Sequence, residues 1–312
     1  MSNKILITAK NPELSGLRRS WGRPEFTPDD GIGSLTSLDQ ASDAIVAVLM
    51  NTKNEDKFAV IGSGVMVAPG VVLTATHVLE EFPPSGPGPI FVSFLPNNAG
   101  RVWLPAGTVT CSGPSQFNAI EQNRKTISDI SIASCELHSD AQINYPLSMI
   151  PMEVCLPIPS QRLWAIGFRQ GQIDDDATPI TPLVSSGLVT CCYTNGRGDR
   201  MPSPCVEVNM ECYGGMSGGP VLNEDGRVVG IVSSSYEDGP SYVTLIWDAL
   251  RLSIDGLPQS VWPDSCSSLV GGIKHNLVRV VGNFSYDEDN NITLMPSSLE
   301  MEHFTRPDTN NV

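Results

Sequence analysis

Three residues able to carry acyl transfer stand in settings that favour it. Ser217 lies in the run Tyr213-Gly-Gly-Met-Ser-Gly-Gly-Pro220. Glycines on both sides free the backbone for a tight turn with its N–H groups exposed. Amides two residues apart, those of Gly215 and Ser217, can then converge on an oxygen that gains negative charge. Gly218 and Gly219 let the chain bend at once into a strand, Gly219-Pro-Val-Leu-Asn223. His77 ends the run Val72-Leu-Thr-Ala-Thr-His77, a setting in which its ring can stand at the rim of a barrel. Asp129, in Ser128-Asp-Ile-Ser-Ile132, opens a stretch of alternating apolar residues. A partly buried carboxylate at such a strand start needs a partner. Singly, each has an ordinary reading as a flexible turn, a structural histidine or a strand-starting aspartate. Together, in the order His, Asp, Ser, they supply a base, a group that orients it and a nucleophile.

The elements that must position these residues are short, Val-rich apolar runs separated by turn chemistry. Residues 1–41 are rich in polar residues, Pro and Gly and read as an N-terminal arm. Residues 42–140 hold AIVAVLM, FAVIGSGVMVA, GVVLTATHVL, IFVSFLP, VWLPAGTVT and ISDISIASCEL. A Pro-punctuated linker opens the next region, 141–256, which continues with RLWAIGF, PLVSSGLVTCCY, CVEVNM, GPVLN, RVVGIVSSS and SYVTLIW. Two groups of about six short strands predict an all-β protein built as two packed six-stranded antiparallel β-barrels. His77 and Asp129 fall in the first barrel and Ser217 in the second, so the three would meet in the cleft between them. WDALRLSI reads as a short helix with Leu250 and Ile254 on one face. Residues 257–312 form a C-terminal extension in which GGIKHNLVRVVGNFSY and NITLMP suggest a hairpin, with the last dozen residues disordered.

Composition narrows the function. Against 34 acidic residues there are 19 basic ones, a net charge of −15. Such a surface repels phosphate backbones and anionic lipid, so neither a nucleic acid nor a membrane is an expected partner. The first residues lack an apolar core of signal-peptide length, because Lys10, Asn11 and Glu13 interrupt it, and no window is apolar enough to span a bilayer. A cytoplasmic protein is expected. None of the eight cysteines shows C-x-x-C spacing, so no metal site and no cofactor is indicated, and buried reduced thiols are expected.

The sequence resembles the chymotrypsin-like (trypsin-fold) serine peptidases over about residues 42–250. The matching motifs are LTATHV around His77, SDISIA around Asp129, GGMSGGPV around Ser217, and Gly230-Ile-Val-Ser233. The resemblance implies a serine endopeptidase acting through an acyl-enzyme on protein or peptide substrates. Ser217 would be the nucleophile, His77 the base and Asp129 the orienting acid, with Gly215 and Ser217 as the oxyanion hole. It further implies that the Ser233 hydroxyl supports Asp129 and that Ser233, Ser234 and Ser235 pair with the substrate backbone. By register from Ser217, Glu211 would line the specificity pocket and favour Arg or Lys before the cut bond.

Departures from the family pattern carry expectations too. Met216 replaces the aspartate that digestive members pair with a freshly cleaved N-terminus, and no IVGG-like activation sequence is present. No zymogen step of that type is expected, as in the bacterial and viral branches. Val78 stands where secreted members carry a cysteine beside the histidine. These features imply a restricted or regulated intracellular protease, with an activator protein as a further expected partner. Two alternatives compete: an inactive trypsin-fold protein that binds peptides or partner proteins, and an esterase on an α/β sheet. The order of the residues opposes the second, because that fold places its acid and histidine after the serine.

Overall fold

A computed structural model describes residues 14–22, 31–34, 43–51, 58–95, 99–111, 128–139, 145–170, 180–198, 201–235, 239–288 and 292–304. Two short strands, β1 (Arg19–Trp21) and β2 (Gly31–Ser34), belong to the N-terminal arm. The first barrel follows, with β3 (Ile45–Asn51), β4 (Phe58–Ala68), β5 (Val71–Thr74), β6 (Ile90–Leu95), β7 (Ala99–Cys111) and β8 (Ser128–Leu137). It closes in the order β3-β4-β5-β8-β7-β6, antiparallel throughout. Every side chain of β5 is buried. Its hairpin with β4 turns at Pro69-Gly70, where Gly70 has φ +69°. Proline fixes the first central residue and glycine accepts the positive φ of the second, which is type II turn chemistry.

The linker contributes β9 (Leu147–Met149) and β10 (Met152–Val154). The second barrel comprises β11 (Arg162–Gln170), β12 (Ile180–Tyr193), β13 (Cys205–Asn209), β14 (Pro220–Leu222), β15 (Val228–Ser235) and β16 (Ser241–Leu245). The path β14-β11-β12-β13-β16-β15 is closed by pairing between β14 and β15. The protein is therefore two six-stranded antiparallel barrels, as the strand groups predicted. They meet where Phe94 of β6 packs edge-on against Phe168 of β11, with ring centroids 5.3 Å apart.

The arm is more than a tail. β1 runs parallel to β9, and β2 pairs antiparallel with Leu183–Ser186 of β12. Two of the four residues of β2 are glycine, which carries no strand signal. Among the described residues there are four short α-helices, α1 (Thr76–Glu80), α2 (Trp247–Leu250), α3 (Leu269–Lys274) and α4 (Ser298–Met301). α2 is shorter than WDALRLSI suggested, although Leu250 and Ile254 are both buried.

The extension packs on both the first barrel and the linker. Trp262 Nε1 donates to the Pro69 carbonyl at 2.8 Å, and just before the extension the Asp255 carbonyl accepts from Ser134 Oγ at 2.6 Å. Pro69 is at the end of β5 farthest from His77. β17 (Val280–Gly282) then runs parallel to β10, and β18 (Phe284–Tyr286) pairs with β19 (Ile292–Leu294) in the expected hairpin. The expectation of disorder at the C-terminus falls mostly on residues outside those described. Among the described residues no helix is long and apolar enough to cross a membrane.

Candidate active site

His77 stands just beyond β5, on the single turn of α1 rather than on the strand itself. Thr76 Oγ1 donates to the Ser128 carbonyl at 3.1 Å and lies 2.9 Å from Ser131 Oγ, which ties α1 to β8. The neighbouring Asp129 is thereby set against the imidazole. His77 N–H donates to Asp129 Oδ1 at 3.1 Å, and His77 Nδ1 lies 3.0 Å from both carboxylate oxygens. A carboxylate can only accept, so Nδ1 carries the proton and Nε2 is left with its lone pair. Ser233 Oγ donates to Asp129 Oδ2. Asp129 N–H in turn donates to Ser203 Oγ at 2.7 Å, a contact from the second barrel that had no sequence signal.

The hydroxyl of Ser233 reaches Asp129 because of an irregularity in its strand. The pairing of β15 with β16 shifts register between Val232 and Ser234, leaving Ser233 as the extra residue. Such a bulge re-aims a side chain. Pairing with β14 ends at Ile231, so among the described residues Ser233–Ser235 are strand-paired only with β16.

Ser217 sits in two consecutive tight turns. Met216 N–H donates to the Tyr213 carbonyl at 3.0 Å, and Gly219 N–H to that of Met216 at 2.9 Å. Each turn has glycine at its third position, Gly215 with φ +94° and Gly218 with φ +80°, the type II pattern. Space also demands glycine at Gly218, where a Cβ would lie 2.3 Å from the Ser63 carbonyl oxygen and 2.7 Å from Ala75 N. That packing sets the serine turn against the segment leading to His77. Gly218 N–H donates to the Val232 carbonyl at 2.7 Å, which fixes the same turn to β15.

The departures from the family pattern have structural counterparts. A Cβ on Gly62 would lie 2.4 Å from a methyl of Val78, so apolar packing fills the space beside the histidine. Met216 is fully buried beneath Gly167, whose Cβ would lie 2.9 Å from Met216 Cα. Glu211, partly buried, lies between two stapled carbonyls. Ser241 Oγ donates to that of Met210 at 2.8 Å and Ser235 Oγ to that of Cys212 at 3.0 Å.

Ser217 thus joins the Asp129–His77 pair through packing and main-chain bonds. Among the described residues no hydrogen bond links its Oγ to the imidazole. Burial is the largest influence on His77 and pulls its pKa down. The hydrogen bond and charge of Asp129, with the charges of Glu80 and Glu81, outweigh it and leave the pKa above 6.5. Among the described residues no cysteine forms a disulfide, and burial pushes Cys192 up to about 12 and Cys212 to about 11. Those two stay protonated and are inert at neutral pH.

A family model described as the trypsin-like peptidase domain matches residues 62–231, more than half of the chain, and the protein belongs to that family. Comparison with curated proteins finds no match. Among solved structures it is similar to the apo MamO protease domain from Magnetospirillum magneticum, at 17% identity and TM-score 0.44. That alignment covers 65% of this chain and 92% of the other. It is also similar to a mutant of human heparin binding protein, at 13% identity and TM-score 0.46, covering 70% and 92%.

Proposed function

We propose that the protein is a serine endopeptidase that hydrolyses peptide bonds through an acyl-enzyme, as a restricted intracellular protease. The observation that carries this reading is the Asp129–His77 pair, set against a glycine-bounded turn that bears Ser217. Ser217 Oγ attacks the scissile carbonyl carbon and its proton passes to His77 Nε2. The tetrahedral oxyanion is held by the Gly215 and Ser217 amides. Collapse breaks the C–N bond, and the proton on His77 goes to the leaving amine. Water, activated by the same base, then hydrolyses the ester and restores Ser217. The edge of Ser233–Ser235 that carries no strand among the described residues accepts the substrate as an added strand.

A fluorophosphonate probe tests the reading, because Ser217 must displace fluoride while its proton goes to His77. Mass spectrometry should find the phosphonyl group on Ser217 of the parent and on no residue of Ser217→Ala. The rate should rise with pH through a midpoint above 6.5, since only neutral His77 accepts the proton and its pKa is raised. A parent that stays unlabelled at every pH would instead favour a peptide-binding protein without activity.

Glu211 is the proposed selector of Arg or Lys before the cut bond. A charge-assisted bond contributes roughly 1.5–3 kcal/mol, so Glu211→Gln should reduce that preference by about tenfold or more. Profiling both proteins on a peptide library decides it. An unchanged profile would remove Glu211 from the pocket.

A further inference from the structure

Met216 cannot form the carboxylate–ammonium pair that completes the oxyanion hole in digestive relatives, so another group must hold the turn. The structure places Ser63 of β4 there. Ser63 is completely buried. Its N–H donates to the Ser217 carbonyl at 2.7 Å, and its Oγ donates to the Gly215 carbonyl at 2.7 Å. One residue of the first barrel therefore grips both residues whose amides would bind the oxyanion.

We infer that Ser63 is the positioning residue that sets the oxyanion turn, doing by a neutral hydroxyl what an inserted N-terminus does elsewhere; this rests on the peptidase reading above. The peptide between Gly215 and Met216 is held at both ends, its carbonyl by Ser63 Oγ and its N–H by the Tyr213 carbonyl at 3.0 Å. The Ser63 hydroxyl is itself oriented, since it accepts from Phe168 N–H at 2.9 Å and so directs its only proton to Gly215. Thr74 Oγ1 donates to the Ser63 carbonyl at 2.8 Å and fixes the strand behind it. None of these groups titrates near neutral pH, so the turn is formed without cleavage and without a proton switch.

Saturation kinetics with the fluorophosphonate probe test this, because its phosphoryl oxygen occupies the oxyanion position. In Ser63→Ala the maximal labelling rate should fall about 10–100-fold, with the half-saturating probe concentration within about threefold of the parent. The pH midpoint set by His77 should stay in place. Ser134→Ala is the control, since it too removes a buried hydroxyl that donates to a distant carbonyl, that of Asp255. It should lower thermal stability comparably and leave the labelling rate unchanged. Ser63→Cys keeps a weaker donor in similar volume and should show an intermediate rate; if Ser63→Ala does not fold, this variant decides alone. A labelling rate equal to the parent's in the folded Ser63 variants overturns the inference and leaves the peptidase reading standing. A parent that does not label overturns both.

Discussion

Asp129→Asn is expected to slow both labelling of Ser217 and peptide hydrolysis by about ten-thousand-fold at neutral pH, with the fold retained. The carboxylate takes hydrogen bonds from His77 N–H, His77 Nδ1–H and Ser233 Oγ–H. An asparagine of the same shape can satisfy only acceptor-seeking groups with its oxygen. Turned to keep its oxygen on the His77 main-chain N–H, it places its NH2 where Oδ2 stood, against Nδ1 and the Ser233 hydroxyl, and shifts the imidazole proton onto Nε2. The lone pair that would receive the serine proton is then lost. The charge is lost as well. Burial, the largest influence on His77, is opposed afterwards only by the more distant Glu80 and Glu81, so the imidazole pKa must fall. What activity remains should titrate at lower pH than in the parent, and raising the pH should not restore the rate. Labelling rates across a pH series, with melting temperatures alongside, provide the measurement. A loss below about tenfold with an unmoved midpoint would reduce Asp129 to a packing residue.

Much of this arrangement was legible because each feature follows a local rule. Alternating Val-rich runs and turn residues gave all twelve barrel strands, and the glycines around Ser217 marked the turns that only glycine can form. Features without a local signal depend on distant partners. Ser203 and Asp129 are far apart in the chain, and nothing in Met-Pro-Ser-Pro-Cys announces a bond to an aspartate amide. The bulge that turns Ser233 inward arises from the register of β15 against β16, and neither strand shows it alone. Ser63 did leave a trace. A serine between two glycines in an otherwise Val-rich strand marks close approach of another backbone, and here that backbone is the serine turn itself. The strand β2 was hidden by its composition, since Gly-Ile-Gly-Ser becomes a strand only because β12 offers it an edge.

Arg101 left no local signal for the same reason and should be a costly position for stability. In the sequence it is one charge between Gly100 and Val102, indistinguishable from a solvated strand residue. In the fold its side chain is 0% exposed and paired with Asp43, which immediately precedes the first barrel. Its guanidinium also donates to the Tyr145 carbonyl at 2.7 Å and the Pro146 carbonyl at 3.1 Å, at the start of the linker. One planar cation thus joins β7, the entry to β3 and the chain leading into β9. Arg101→Ala strips a poorly solvated carboxylate and two carbonyls of the guanidinium's hydrogen bonds, and should cost about 3–5 kcal/mol. Arg101→Met with Asp43→Asn removes both charges while keeping most of the volume, and should recover part of that loss. Recovery should be incomplete, because a thioether cannot donate to the Tyr145 and Pro146 carbonyls. Urea unfolding of the parent, the single variant and the double variant measures each step. A single-variant cost under about 1 kcal/mol would mean that the pair contributes no more than an exposed surface bridge. The site lies on the other barrel strands, so folded Arg101→Ala should label at Ser217 at the parental rate, separating stability from chemistry.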